Sequence, residues 1–183
     1  MTDELIGRLR RKLRRDGACR TAVLPVERLH FSVEYRSMCE VNVCGMYGKC
    51  WMCPPDVGTA AALVAQARSY RTAVVYEVVS PIAGASDTAG MLEAGRRQNL
   101  LAKTAQDYLR ARTDEPFLQL AAGGCRLCEP CARTAGQPCR FPGEAVASLE
   151  AYCVDVARMA DACGMRYFNG PNTVAYFGTL LVR

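Results

Sequence analysis

GGCRLCEPCARTAGQPCRFPGEAVASLEAY, residues 123–152, holds Cys125, Cys128, Cys131 and Cys139. The first three repeat as C-x2-C-x2-C, and the fourth follows after seven residues. Two-residue spacers let a loop wind around a cubane and present successive thiolates to different irons. A tetrahedral zinc site needs only two such pairs and gives no reason for a third cysteine at the same interval. The rhythm therefore predicts an iron–sulfur cluster of the 4Fe-4S type, with zinc as the alternative. The last gap is longer than the C-x2-C-x2-C-x3-C-P run of bacterial ferredoxins. It allows Cys139 either to close the same cluster or to serve another site. Pro138 and Pro142 flank Cys139 and stiffen its approach.

A second cysteine-rich stretch lies upstream. MCEVNVCGMYGKCWMCPPDVG, residues 38–58, carries Cys39, Cys44, Cys50 and Cys53. Pro54 and Pro55 follow Cys53, so that cysteine is held extended. In two-cluster ferredoxins the cysteine of a C-P step ligates the other cluster. Cys53 is thus able to complete a cluster begun by Cys125, Cys128 and Cys131, with Cys139 turned toward Cys39 and Cys44.

The 183 residues suit one domain, and half of them are hydrophobic, enough for a core. The first residues are charged throughout, with no apolar h-region, and no apolar run spans a bilayer. A cytoplasmic, reducing setting is expected, where eleven cysteines favour metal ligation over disulfides. Net charge is +5, concentrated at Arg8, Arg10, Arg11, Lys12, Arg14, Arg15 and Arg20. No aromatic interleaving or nucleic-acid reading module accompanies it, so a solvated helix face is expected, without nucleic acid or membrane as partner. G-x-G-x-x-G, Walker and radical-SAM C-x3-C-x2-C patterns are absent.

In chain order, Asp3–Arg15 has the spacing of an amphipathic helix ended by Gly17. Leu29–Tyr35 alternates as a strand, with His30, the one histidine, on its polar side. Thr59 caps a helix through AAALVAQARSY, and Thr72–Val79 is a short β-branched buried strand. A long helix follows over Thr88–Arg112, then a strand over Phe117–Ala122 that delivers Gly123 and Gly124 into the cysteine loop. Ser148 is read as the cap of a helix through LEAYCVDVARMADAC, ended by Gly164. Val174–Val182 is a final strand. Cys19, Cys153 and Cys163 are read as small hydrophobes. Glu150, Tyr152 and Asp155 are read as capping and packing support for the cysteine loop. The expected architecture is a single α/β domain over residues 1–183, a mixed sheet flanked by helices with both cysteine loops at one end.

Three separated blocks resemble the family of predicted metal-binding proteins called domain of unknown function 2284. They are Cys39, Cys44, Gly45, Tyr47, Trp51, Cys53, Pro54 and Pro55; then Gly123 to Pro142; then Ser148, Glu150, Ala151, Tyr152, Asp155 and Val156. A closing aromatic-glycine strand, Tyr176, Phe177 and Gly178, completes the likeness. The resemblance implies metal binding through Cys39, Cys44, Cys53, Cys125, Cys128, Cys131 and Cys139. Cys50 falls outside the pattern, and Cys153 stands where it usually reads glycine. Seven ligands fall short of the eight that two all-cysteine cubanes take. Cys50, His30 or an exogenous ligand is available for the gap.

The expected role is electron transfer or accessory redox work with a partner protein. An enzyme with an open iron site and a zinc-bound structural or regulatory module are the alternatives.

Overall fold

The computed structural model describes residues 1–42 and 44–183. Five strands form one sheet in the order β1-β2-β5-β3-β4: β1 Arg20–Pro25, β2 Thr72–Pro81, β3 Phe117–Ala121, β4 Ala147–Ser148 and β5 Thr173–Val182. The pairs β1–β2, β2–β5 and β5–β3 are antiparallel, whereas β3–β4 is parallel. The expected mixed sheet flanked by helices is the observed one. Among the described residues the α-helices are α1 Asp3–Arg15, α2 Val33–Glu40, α3 Ala60–Arg68, α4 Thr88–Arg110 and α5 Val156–Ala162.

Side-chain alternation divides the core between the two faces of the sheet. Val74, Tyr76, Val78, Leu180 and Val182 face α1 and α4, where Ile6, Leu9, Leu13, Leu101 and Leu109 meet them. Burying each of these leucines contributes about 2 kcal/mol. Ala73, Val75, Phe177 and Leu181 face the other way, onto Leu63, Leu149, Val154 and Met159. Thr2 caps α1, Thr59 caps α3 and Asp87 caps α4, each side chain accepting a backbone N–H of the first turn.

A polar seam crosses the α4 face. Tyr76 is fully buried, and its hydroxyl accepts from Gln119 Nε2 at 3.1 Å and meets Gln98 Nε2 at 3.5 Å. Tyr76 pairs in register with Gly178. A Cβ on Gly178 would lie 2.2 Å from the Tyr76 ring, so only glycine leaves the phenol its place.

Three expectations need correction. Leu29–Tyr35 is not a strand. Only Phe31 makes a β-bridge, to Val154, and Ser32 then caps α2 by accepting the Glu34 N–H. The alternation of Leu29, Phe31 and Val33 coincides with a bridge followed by a helix start. Ser148 does not cap a helix either. It ends the two-residue β4 and holds a turn, its Oγ accepting Ala151 N–H at 3.0 Å. Cys153 then takes φ +63°, a left-handed conformation that stops helix propagation, and α5 starts only after Asp155. Arg20–Pro25, where no strand was expected, is the edge strand β1.

Candidate metal centre

The first cysteine loop is delivered by α2. The chain before it is stitched to the segment after β4: Ser32 N–H donates to Cys153 O at 2.8 Å, and Asp155 N–H to His30 O at 2.9 Å. Arg36 then donates to Ala151 O at 2.9 Å and to Gly58 O at 2.6 Å, fixing the helix against the segment after β4 and the far end of the loop. Cys39 sits in the last turn of α2. Beyond it Asn42 Oδ1 accepts Tyr47 N–H at 3.0 Å, and Gly48 N–H donates to Pro54 O at 2.9 Å. That last bond folds Cys50 and Cys53 into one tight turn, with Cys53 N–H on Cys50 O at 2.9 Å.

The second loop leaves β3 at the sheet edge, where Leu149 N–H donates to Ala121 O at 3.0 Å. After Cys131 comes a single 3-10 turn, Ala132–Ala135, closed by Thr134, whose N–H and Oγ1 both donate to Cys131 O. The two loops lock together at three places. Trp51 Nε1 donates to Gln137 O at 2.9 Å. Arg133 pairs with Asp56 at 2.7 Å and lies over the Trp51 ring at 5.3 Å. Gly124 brings the backbones together, since a Cβ there would stand 3.0 Å from Cys53 Sγ and 3.4 Å from Met46.

All eleven cysteines are free thiols. Cys50 is 1% exposed and Cys53 7%. Their sulfurs are hydrogen-bonded to each other, and Cys131 also bonds to Cys50. Cys53 donates, so the Cys50 thiol is held down to about 6, first by that bond, with burial opposing and the backbone of Met52 and Cys125 assisting. The Cys53 thiol is raised by the same bond and by burial, then by the nearby charges of Cys50, Cys44 and Cys39. Burial also raises Cys125, which feels Cys50 and Cys128. Cys39 is raised by burial first and then by Glu150, Cys44 and Cys153.

Cys125, Cys128 and Cys131 line one cavity of about 200 Å³, with Met46 and Lys49 of the first loop on its wall. Among the described residues no three Cys, His, Asp or Glu side chains are already closed around a common point. The Cys50 sulfur is paired both with Cys53 and with Cys131. Ligation requires thiolates, so metal binding is coupled to proton loss from such pairs. The donor set is chemically that of a soft metal: sulfur throughout, with backbone groups directed at the Cys50 sulfur.

A family model described as predicted metal-binding protein (DUF2284) matches residues 22–182. The chain belongs to that family. No curated protein and no solved structure matches it.

For this DUF2284 chain the structure lines one cavity with Cys125, Cys128 and Cys131, sets Cys53 Sγ against Gly124 at the start of the second loop, and leaves Cys39 and Cys44 on the first loop with their charges bearing on Cys53. Cys139 is half-buried, two residues beyond the Gln137 anchor, and none of the thiol contacts above involves it. His30 is exposed, and its backbone carbonyl accepts Asp155 N–H. Cys163 is half-buried, its thiol pushed up to about 11 by burial, and Cys19 is exposed with Sγ accepting Val79 N–H at 3.5 Å. Both are away from the thiol group. Asp155 caps α5 and Tyr152 donates to Gln66 of α3 at 2.7 Å, so both are structural, but in these contacts they serve the helices rather than the cysteine loop. Glu150 is half-buried, and burial raises its carboxyl.

Sequence reasoning left Cys50 outside the resemblance, as one of three candidates for the missing ligand, and did not anticipate its burial. The signal was there: Cys50 and Cys53 are themselves a C-x2-C pair, the same spacing that carries the second loop. Lys49 directly precedes Cys50. It is exposed and still lines the cavity, which supplies positive charge beside the sulfurs.

Proposed function

We propose that the metal of this DUF2284 chain is iron in one or two 4Fe-4S clusters, and that the protein moves electrons to or from a partner protein in a reducing, cytoplasmic compartment. The observation that carries this reading is the C-x2-C-x2-C run lining a single cavity, against which the first loop packs two further thiols. A zinc cage uses four sulfurs and no sulfide, and has no use for so many thiols at one seam. Cys39, Cys44, Cys53, Cys125, Cys128, Cys131 and Cys139 are the proposed ligands. An arginine-rich surface on α1, with Arg8, Arg11, Arg14 and Arg15 exposed, offers an acidic partner a docking face. When bound, the cluster supplies one-electron chemistry; the chain's own groups hold it, shield it and direct hydrogen bonds at its sulfurs. No helix among the described residues is long and apolar enough to cross a membrane.

The test is iron and acid-labile sulfide per chain in protein purified without oxygen. Roughly four or eight of each is expected. Cys128→Ser loses most of it, whereas Cys19→Ser and Cys163→Ser keep the wild-type amount. Zinc without sulfide removes the electron-transfer reading and leaves a structural module.

A further inference from the structure

We propose that a second cavity, between α4 and the second cysteine loop, binds a small organic carboxylate beside the thiol cavity. The proposal goes beyond the metal reading above, because it needs the cavity and its charges but no particular metal. Arg96, Asn99, Leu100 and Lys103 stand at i, i+3, i+4 and i+7 on α4, one face of the helix. That face, the second cysteine loop and Val146 enclose about 360 Å³. Cavities that take small organic ligands run from roughly 300 to 1,000 Å³. The thiol cavity, at about 200 Å³, falls below that range. Cys125, Arg126 and Glu129 line both cavities, so a ligand in the second lies within contact of the segment that carries the thiols.

The wall is half apolar and half cationic. Leu100, Leu127 and Val146 supply the apolar surface, and Leu100 is 68% exposed, open to a ligand. Lys103 is already held between Asp107 and Glu144, at 2.9 Å from each, and so offers little free charge. Arg96 is not held in this way. It meets Glu93 only at 3.9 Å, and Glu93 lies closer to Arg97, at 3.3 Å. Arg126 is exposed and forms no ion pair among the described residues. Two guanidiniums therefore stand against one wall carboxylate outside the lysine pair, that of Glu129. A guanidinium presents its N–H groups as a planar fork that matches a carboxylate. A carboxylate with a short apolar body answers both halves of the wall. Inorganic phosphate answers only the cationic half and leaves the apolar half wet.

Two measurements on the full chain, purified without oxygen, test this. The first is calorimetric titration with hexanoate, and with hexylamine and inorganic phosphate as controls for charge and for the apolar body. Hexanoate should bind, and each control should bind at least about tenfold more weakly. Arg96→Gln and Arg126→Gln should each weaken hexanoate about tenfold, the effect of one charge-assisted hydrogen bond, with wild-type metal content and circular dichroism. Arg14→Gln, on α1, should leave the affinity unchanged. In the second, arginines are modified with phenylglyoxal and read by mass spectrometry. Hexanoate should protect Arg96 and Arg126 and leave Arg14 as reactive as before. No binding of hexanoate, equal binding of hexylamine or phosphate, or wild-type affinity in both cavity variants overturns the site; so does modification of Arg126 that hexanoate does not slow. Zinc without sulfide in the same preparation ends the iron–sulfur reading, and the hexanoate titration then judges the cavity by itself.

Discussion

Gly178 and Gly124 are glycines for the same reason and in opposite surroundings. Each leaves out a Cβ so that a neighbour can take its space: the Tyr76 phenol at Gly178, the Cys53 sulfur at Gly124. Gly178 lies in the middle of β5, between a ten-residue β2 ladder and β3, under α4. Everything near it is rigid, buried and repeated along the strands. Gly124 lies where β3 has ended and the backbone follows turns closed by single hydrogen bonds. The sheet is held by burial that would persist whatever the loops contain. The loops are held by a few cross-contacts, Trp51 to Gln137 and Asp56 to Arg133, and by thiols that still carry protons to lose. The site therefore sits on a rigid platform while its own closure is left to chemistry.

The largest test of that contrast is Gly178→Ala. The Tyr76 ring cannot yield by a rotamer change in its packed site, so a loss of at least about 3 kcal/mol is expected, read as a fall in the urea midpoint. A loss below about 1 kcal/mol would mean that the sheet core is as adaptable as the loops. Gly124→Ala is the matched change in the loop. There the obstacle is the end of a side chain, and about 1 kcal/mol is expected, a fall of about 3 °C in Tm. Its effect on bound metal should be larger than its effect on Tm, because the clash falls on a ligand sulfur. Equal losses of metal from both variants would erase the distinction.

The smallest test concerns charge on the sheet side. The Asp87 carboxylate accepts Ala83 N–H and Gly90 N–H, each at 2.8 Å, and these bonds hold its acidity below the usual carboxylate range. The folded state then releases this proton more readily than the unfolded chain. Its contribution is fully present above the ordinary carboxylate value, about 4, and is lost as pH falls through the lower folded value. Asp87→Asn keeps a capping side chain but cannot titrate. The stability gap between wild type and variant should close as pH drops below about 4 in denaturant titrations. A gap that stays constant with pH would place the effect in packing.

Most of the platform was legible because its signals are local. Leu5, Ile6, Leu9 and Leu13 announce α1 by spacing, Thr59 announces α3 by its cap, and the run from Thr72 to Val79 is strand chemistry throughout. The edge strand Arg20–Pro25 was not legible, since half its residues face solvent and it ends on a proline. The start of α5 was hidden by Cys153, whose left-handed backbone no residue type announced except the glycine usual at that position in the resemblance. Spacing named the cysteine loops but not their pairing. Which sulfur meets which is decided by Arg36, Trp51 and Arg133, contacts between residues far apart in the chain. Cys50 stood outside the resemblance and was offered only as one of three candidates for the missing ligand, although its own interval to Cys53 followed the rule that identified the other loop.

The single tryptophan of the chain stands at the seam, its indole shared between Gln137 and Arg133. Emission excited at the indole band therefore comes from one address. The molecule carries its own gauge of loop closure: one wavelength, recorded without a label, registers whether the two halves of the centre have come together.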